Sequence, residues 1–184
     1  MTPPPGSPAP DVPDDVLLPA LAAGDEAAFR TLYRRHTPRL RWLVLRLLGG
    51  HEADADDALQ EGWLRAVAGL PGFRGEAVFG SWLSTITIRV AWETIRKRRP
   101  WVALEEAAEP AARTFDLEER VDLEQALGRL PDPQRMVVVL HDVEGFTHDE
   151  IAAHLGIAEG TSKSHLHRAR RALRLMLESP ERVE

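Results

Sequence analysis

From Ala55 onward the apolar residues fall at Ala55, Ala58, Leu59, Trp63, Ala66, Val67 and Leu70, the three-and-four spacing that turns one face of a helix into a core. Leu70-Pro71-Gly72 follows, and Pro and Gly are poorly tolerated in a helix interior, so the helix is predicted to end there. A second run places Phe79, Trp82, Leu83, Ile86 and Val90 on one face and continues to Arg96-Lys97-Arg98-Arg99 before Pro100. Positive charge suits a helix C-terminus and Pro stops a helix. Val137-Val138-Val139-Leu140 is long enough for a strand, but helix formers flank it and it is read as helix. The pattern therefore predicts an all-α protein without a sheet.

The most informative stretch is THDEIAAHLGIAEGTSKSHLHRARRALR, residues 147–174. Thr147 with Glu150 three positions on forms a capping box, so a helix is predicted to start there, with Ile151, Ala152 and Leu155 on its buried face and Gly156 ending it. A second helix follows within a few residues. Leu166, Ala169, Leu173 and Leu177 are expected to face inward, leaving Lys163, Ser164, His165, His167, Arg168, Arg170, Arg171 and Arg174 on much of the remaining surface. An ordinary helical hairpin with a solvated basic face has the same charge run. The small Ala152 and the Leu155-Gly156-Ile157 connection favour the angled packing of a helix-turn-helix, whose second helix enters a DNA major groove.

Composition divides the 184 residues into segments. Seven of the 14 prolines lie within the first 19 residues, so residues 1–23 are expected to form a disordered Pro-rich tail. A second break, residues 101–121, holds Pro110 and the run EEAAEPAA and reads as a flexible acidic linker between two small helical domains, residues 24–100 and 122–178, with a short tail at 179–184. No run of apolar residues is long enough for a membrane span, so no membrane insertion is expected. The N-terminus has neither the basic nor the apolar region of a secretory signal, which points to a cytoplasmic protein. With no Cys, disulfides, thiolate metal sites and cysteine nucleophiles are excluded.

The formal charge of −6 would argue against a nucleic-acid partner, yet it is unevenly distributed. Residues 25–100 carry 13 basic and 9 acidic side chains, whereas residues 101–121 carry 2 and 6 and residues 122–184 carry 8 and 11. Within the basic segment Asp54, Asp57 and Glu61 recur three and four apart, with Asp56 and Gln60 on an adjoining strip. Such a strip is either a solvated acidic face or a docking face for a basic partner, since close like charges repel unless compensated. Trp82, Arg89 and Arg96 are seven apart on the next helix, with Trp92 beside Arg89. Aromatic rings interleaved with Arg suit unstacked bases, although Trp82 shares the core face of Phe79, Leu83 and Ile86. The histidines His141, His148, His154, His165 and His167 lack the i, i+4 pairing of a helical metal site, so no metal or cofactor is expected, and His165 and His167 are placed on the DNA face.

Taken in order, these motifs resemble the extracytoplasmic-function group of bacterial RNA polymerase sigma factors over about residues 24–178. GDEAAFRTLYRRHTPRLRWLV looks like the opening of the sigma-2 domain, DADDALQEGWLRA like its polymerase-binding helix, and FRGEAVFGSWLSTITIRVAWETIRKRRP like its melting and minus-ten segment. LEQALGRLPDPQRMVVVLHDVEGFTHDEIAAHLGIAEGTSKSHLHRARRAL looks like sigma-4, which reads the minus-thirty-five element. The resemblance implies a non-enzymatic protein that acts with core RNA polymerase, through the β′ clamp helices and the β flap, with promoter DNA, and with an anti-sigma factor.

It implies, residue by residue, that Asp56, Asp57, Gln60 and Glu61 dock on polymerase. Phe73, Arg74, Arg89, Trp92 and Arg96 would meet minus-ten DNA, with Phe73 and Arg74 in the loop that pockets a flipped base. Lys163, Ser164, His165, His167, Arg168 and Arg171 would meet minus-thirty-five DNA. Three positions depart from the family pattern: Arg89 where Asn is common, Ser162 where Val is usual and His165 where Arg is usual. The alternative is a stand-alone helix-turn-helix regulator that binds operator DNA without polymerase.

Overall fold

The computed structural model describes residues 12–98 and 122–177. The first group holds α1 (Asp14–Ala22), α2 (Glu26–Leu47), α3 (Glu52–Gly69), a 3₁₀ turn (Leu70–Gly72) and α4 (Phe79–Arg98). The second holds α5 (Leu123–Arg129), α6 (Asp132–Val138), a π-helical turn (Val139–Val143), α7 (His148–Leu155) and α8 (Glu159–Leu177). No strand occurs among the described residues, and Val137–Leu140 is helical, as its flanks imply. The acidic linker, the first eleven residues of the tail and the tail at 179–184 lie outside the described residues.

Side chains supply the helix starts. The Asp25 carboxylate accepts from the amides of Ala27 (2.7 Å) and Ala28 (2.9 Å) to open α2, and Asp122 accepts from the Gln125 amide at 2.8 Å to open α5. The capping box predicted at Thr147 is present, the Glu150 carboxylate accepting from the Thr147 amide at 2.8 Å. Gly156 closes α7 with φ of 66°, a left-handed conformation that side chains with a Cβ resist.

The antiparallel pair α3 and α4 packs on α2 through Leu43, Val44, Ala55, Leu59, Leu83 and Ile88, all buried. Close approach of α3 to α4 depends on Gly62, where a Cβ would lie 2.9 Å from the Thr87 hydroxyl oxygen. In the second group α6 lies across α8, burying Met136, Val137, Leu140, Ile151, Leu166 and Ala169.

Two expectations change. Residues 14–22, assigned to the disordered tail, form α1. Leu17, Leu18 and Leu21 give this segment a short apolar face against α2, with Leu21 buried. Asp14 fastens it further, one carboxylate oxygen 2.5 Å from Arg35 Nη1 and the other 2.8 Å from His36 Nε2, while Arg35 also donates to the Val12 carbonyl at 2.8 Å. Proline content obscured a face only three residues wide. On α8, Leu166, Ala169 and Leu173 are buried as expected, but Leu177 is 44% exposed and Met176 takes the last inward position, because the stripe's final step from Leu173 is three residues and not four.

The two groups are also in contact with each other. Arg135 of α6, only 3% exposed, donates from Nε to the Leu47 carbonyl at 3.1 Å and from Nη1 to the Leu130 carbonyl at 2.8 Å, and pairs with Asp132. Its guanidinium lies under Gly49, whose φ of 70° and missing side chain make the room: a Cβ there would sit 2.9 Å from Arg135 Cζ. Burial lowers the Arg135 pKa and the neighbouring Asp132 charge opposes that shift. Around this centre Trp92 of α4 donates its indole N–H to the Leu155 carbonyl at 2.8 Å, Arg39 meets Glu144 at 2.7 Å and Arg46 pairs with Glu124.

Replacing Arg135 with Ala leaves two carbonyls and the Asp132 carboxylate without their buried donor. Arg135→Ala is expected to destabilise the fold by about 2–4 kcal/mol, read as a lower midpoint in urea unfolding.

Two histidines give the second group a pH dependence. His148 and His154 both titrate below the usual 6.5, His148 through burial and then the nearby His141, His154 through burial and then Arg89. A depressed histidine pKa means that the unfolded chain takes up protons first as the pH falls. Stability is therefore expected to be fully present above about pH 6.5 and to decline below it, and thermal melts across that range should show less decline in His148→Gln.

Candidate nucleic-acid interface

The helix-turn-helix is α7 followed by α8. Its second helix buries Ser162, His165, Leu166, Ala169, Leu173 and Met176, a continuous three-and-four stripe. Lys163, Ser164, His167, Arg168 and Arg171 are exposed on the other side, in the first and middle turns. Lys163 is held by Glu159 at 2.7 Å, within one turn. This side of α8 is thus cationic and rich in donors, the chemistry that base edges and phosphates accept from.

His165 corrects the sequence expectation: it is 8% exposed, so its ring packs inside the unit and does not project from it. The reason is register. Position 165 lies three residues after buried Ser162 and one before buried Leu166, so the inward stripe includes it. Extending the apolar stripe backward from Leu166 and Ala169 through small Ser162 would have revealed this.

Two pairings made by residues of α8 escaped sequence reasoning. Ser162 is fully buried, and its hydroxyl lies 2.9 Å from His148 Nδ1, so a polar pair between α7 and α8 occupies the place where an apolar residue was expected. Arg170 is drawn toward the turn before α7, its Nε and Nη2 donating to Asp142 at 2.9 and 2.6 Å. That pair of hydrogen bonds holds the Asp142 carboxyl below its usual range and raises the Arg170 pKa. Neither pairing has a local sequence signal, since the partners are 14 and 28 residues apart. His141 and His148 stack with centroids 4.6 Å apart, yet among the described residues no group of three or more His, Asp or Glu is placed to hold a metal ion.

On α3 the acidic strip is exposed at Asp56, Asp57 and Gln60, half-buried at Asp54 and Glu61, and partly compensated. Asp54 pairs with Arg98, Asp56 with Arg41 at 3.2 Å and Glu61 with Arg65 at 2.6 Å. Arg65 also forks onto both Glu93 oxygens at 2.9 Å, which lowers the Glu93 pKa and raises its own. Asp57 has no cation within ion-pair distance among the described residues. Gln60 and Asp56 edge an open hollow of about 990 Å³ whose walls include Phe29, Tyr33, Trp63 and the exposed Leu64 and Val67. Acid beside exposed apolar surface repels DNA and suits a protein.

Phe73 and Arg74 lie in the loop between the 3₁₀ turn and α4. The Phe73 ring packs on Trp82 (4.8 Å) and edge-on to Phe79 (6.0 Å), while Arg74 is exposed. Trp82 is thereby part of an aromatic cluster, which agrees with its core reading. Arg89 and Arg96 are exposed on α4. Trp92 is placed differently from the sequence expectation. It is 4% exposed and bonded to Leu155 of α7, so in this arrangement the helix-turn-helix covers it. Arg89 faces the same helix, close enough for its charge to depress His154.

The pattern described as sigma-70 region 2 matches residues 32–100, and that described as sigma-70, region 4, matches residues 120–173. The chain is 41% identical over 166 residues to the ECF RNA polymerase sigma factor SigM of Mycobacterium tuberculosis H37Rv, spanning 89% of this chain and 84% of that one. In three dimensions it resembles the sigma factor RpoE solved with the anti-sigma factor NepR from Bartonella quintana, with a TM-score of 0.57 and 27% identity over 83% of this chain and 98% of that one. CnrH, solved with the cytosolic domain of CnrY, gives the same TM-score and identity over 91% and 99%. With both regions matched in order and a relative 41% identical across most of its length, this chain belongs to the extracytoplasmic-function family of RNA polymerase sigma factors.

Proposed function

We propose that the chain binds core RNA polymerase and directs it to promoters, α8 reading the minus-thirty-five element and the loop before α4, with α4 itself, opening the minus-ten element. One observation carries this over a stand-alone regulator: the same chain presents a cationic helix-turn-helix face and, on α3, an acidic strip bordering exposed apolar surface. The first suits DNA and the second a protein, so the molecule is built to bridge them.

In this reading Asp56, Asp57, Gln60 and Glu61 dock on the β′ clamp helices, and the domain of residues 122–178 sits on the β flap. Lys163, Ser164, His167, Arg168 and Arg171 contact minus-thirty-five DNA, while His165 supports the helix from beneath. Phe73 and Arg74 receive an extruded minus-ten base, and Arg89 and Arg96 follow the strand. Trp92 joins them only when α7 moves off α4. The protein makes and breaks no covalent bond and uses no cofactor; capturing unstacked bases offsets the few kcal/mol that unstacking costs per step.

The closed contact between α4 and α7 covers part of the surface assigned to minus-ten DNA. Free protein therefore binds promoters weakly, and polymerase, by engaging both domains, favours the separated arrangement. RpoE was solved with the anti-sigma factor NepR and CnrH with the cytosolic domain of CnrY, and by the same logic an anti-sigma factor holds this chain. No helix of the described residues is long and apolar enough to cross a membrane; it is the action beside polymerase that places the chain in the cytoplasm in this reading.

Charge reversal and truncation separate the two faces. The double variant Asp57→Lys, Glu61→Lys is expected to weaken binding to core polymerase at least about a hundredfold while the circular-dichroism spectrum stays native. Arg168→Ala is expected to leave core binding intact and to weaken promoter binding by the holoenzyme about fivefold, with a salt slope smaller by about one. Unchanged core affinity in the first variant contradicts the docking assignment, and an unchanged salt series in the second contradicts the recognition-helix role.

A further inference from the structure

We propose that α1 forms a wall of the base-capture pocket, so that a nucleobase extruded from the non-template strand is held between the Phe73 ring and the Leu18–Pro19 face of α1. The inference rests on the assignment of Phe73 and Arg74 to an extruded base and adds to it a structural element that assignment leaves out.

The cavity beside Phe73 has a volume of about 1000 Å³ and is open to solvent, and its lining comes from both sides. One side is the loop and the start of α4, including Phe73, Arg74 and Phe79; the other is α1, including Asp15, Leu18 and Pro19. The floor is rigid, because Phe73 is packed on Trp82 and Phe79. The wall is fixed as well: Asp14 grips both Arg35 and His36, Arg35 holds the Val12 carbonyl, and Leu21 is buried beneath the helix.

An aromatic ring facing a flat aliphatic surface accepts a planar, weakly polar ligand by its two faces. The rim supplies the rest of the recognition. Arg74 is largely exposed at the mouth, its nearest carboxylate being Glu76 at 3.6 Å, so it can pair with a phosphate. Asp15 lines the α1 side, where its charge keeps phosphate on the Arg74 side and its oxygens can accept from a base N–H. The cavity lies at the N-terminal end of α4, whose exposed Arg89 and Arg96 continue a cationic path for the rest of a strand. A slot with a guanidinium at its mouth and further cations along the adjoining helix fits a base on a polyanion better than an apolar peptide side chain.

The test places a photoactivatable benzoylphenylalanine at position 18, 73 or 16 in turn, within the full chain assembled with core polymerase. The probe is a pool of DNA duplexes carrying a short unpaired non-template stretch of random sequence. Val16 is the control, being 60% exposed and outside the cavity lining. Positions 18 and 73 are expected to crosslink to the unpaired strand about tenfold more than position 16, and Leu18→Asp to lower affinity for the pool about tenfold. Crosslinking from 73 without 18, or equally from 18 and 16, overturns the role of α1 and leaves the Phe73 assignment standing. Crosslinking from neither 18 nor 73 overturns both.

Discussion

The Arg135 guanidinium is the constraint on which the arrangement of the two domains depends. It is a charge buried among main-chain carbonyls, costly to desolvate, and it is tolerated because Leu47, Leu130 and Asp132 surround it with acceptors. The backbone bend at Gly49 leaves the space it fills. Since Leu47 ends α2 and Asp132 begins α6, one side chain fixes the C-terminal end of α2 in the first domain against the N-terminal end of α6 in the second. Trp92 and Leu155 then meet as a consequence of that placement, as do Arg39 and Glu144. A contact made of a few directional bonds, with ion pairs at its exposed margin, is specific in geometry and open to competition from a larger partner surface.

The same economy of charge appears inside the helix-turn-helix. Arg170 is committed to Asp142, which ties α8 to the turn before α7 and leaves one cation fewer to meet phosphate, while Lys163 stays exposed beside Glu159 one turn away. The domain is acidic overall, with 8 basic against 11 acidic residues over 122–184, so long-range attraction to DNA is weak. Specific contacts made while polymerase holds the domain in place account better for recognition than independent binding does. The acidic strip of α3 completes the division of labour, giving the otherwise basic first domain one face that DNA avoids.

Much of this was legible in the sequence. The turn at Leu70-Pro71-Gly72, the capping box at Thr147 and the left-handed stop at Gly156 are local signals, carried by residues a few positions apart, and each appears where the pattern put it. The acidic residues of α3 and the cations of α8 were readable because helical period alone places them on surfaces. What the sequence hid is tertiary. α1 was masked by prolines, and its hold on α2 comes from Asp14 reaching Arg35 and His36 more than twenty residues away. His165 looked like a DNA contact because its type is polar, whereas its position belongs to the buried stripe. Trp92 was readable as an aromatic beside Arg89, but nothing in its neighbourhood announces a bond to a carbonyl 63 residues on.

The most direct test of the account is transcription in vitro from a library of genomic fragments by core RNA polymerase, with and without this protein. The account predicts discrete start sites that appear only when the protein is added and that share a pair of upstream elements. Transcripts that are the same in both reactions, alongside specific binding of the protein alone to duplex DNA, would contradict it and favour a regulator that acts without polymerase.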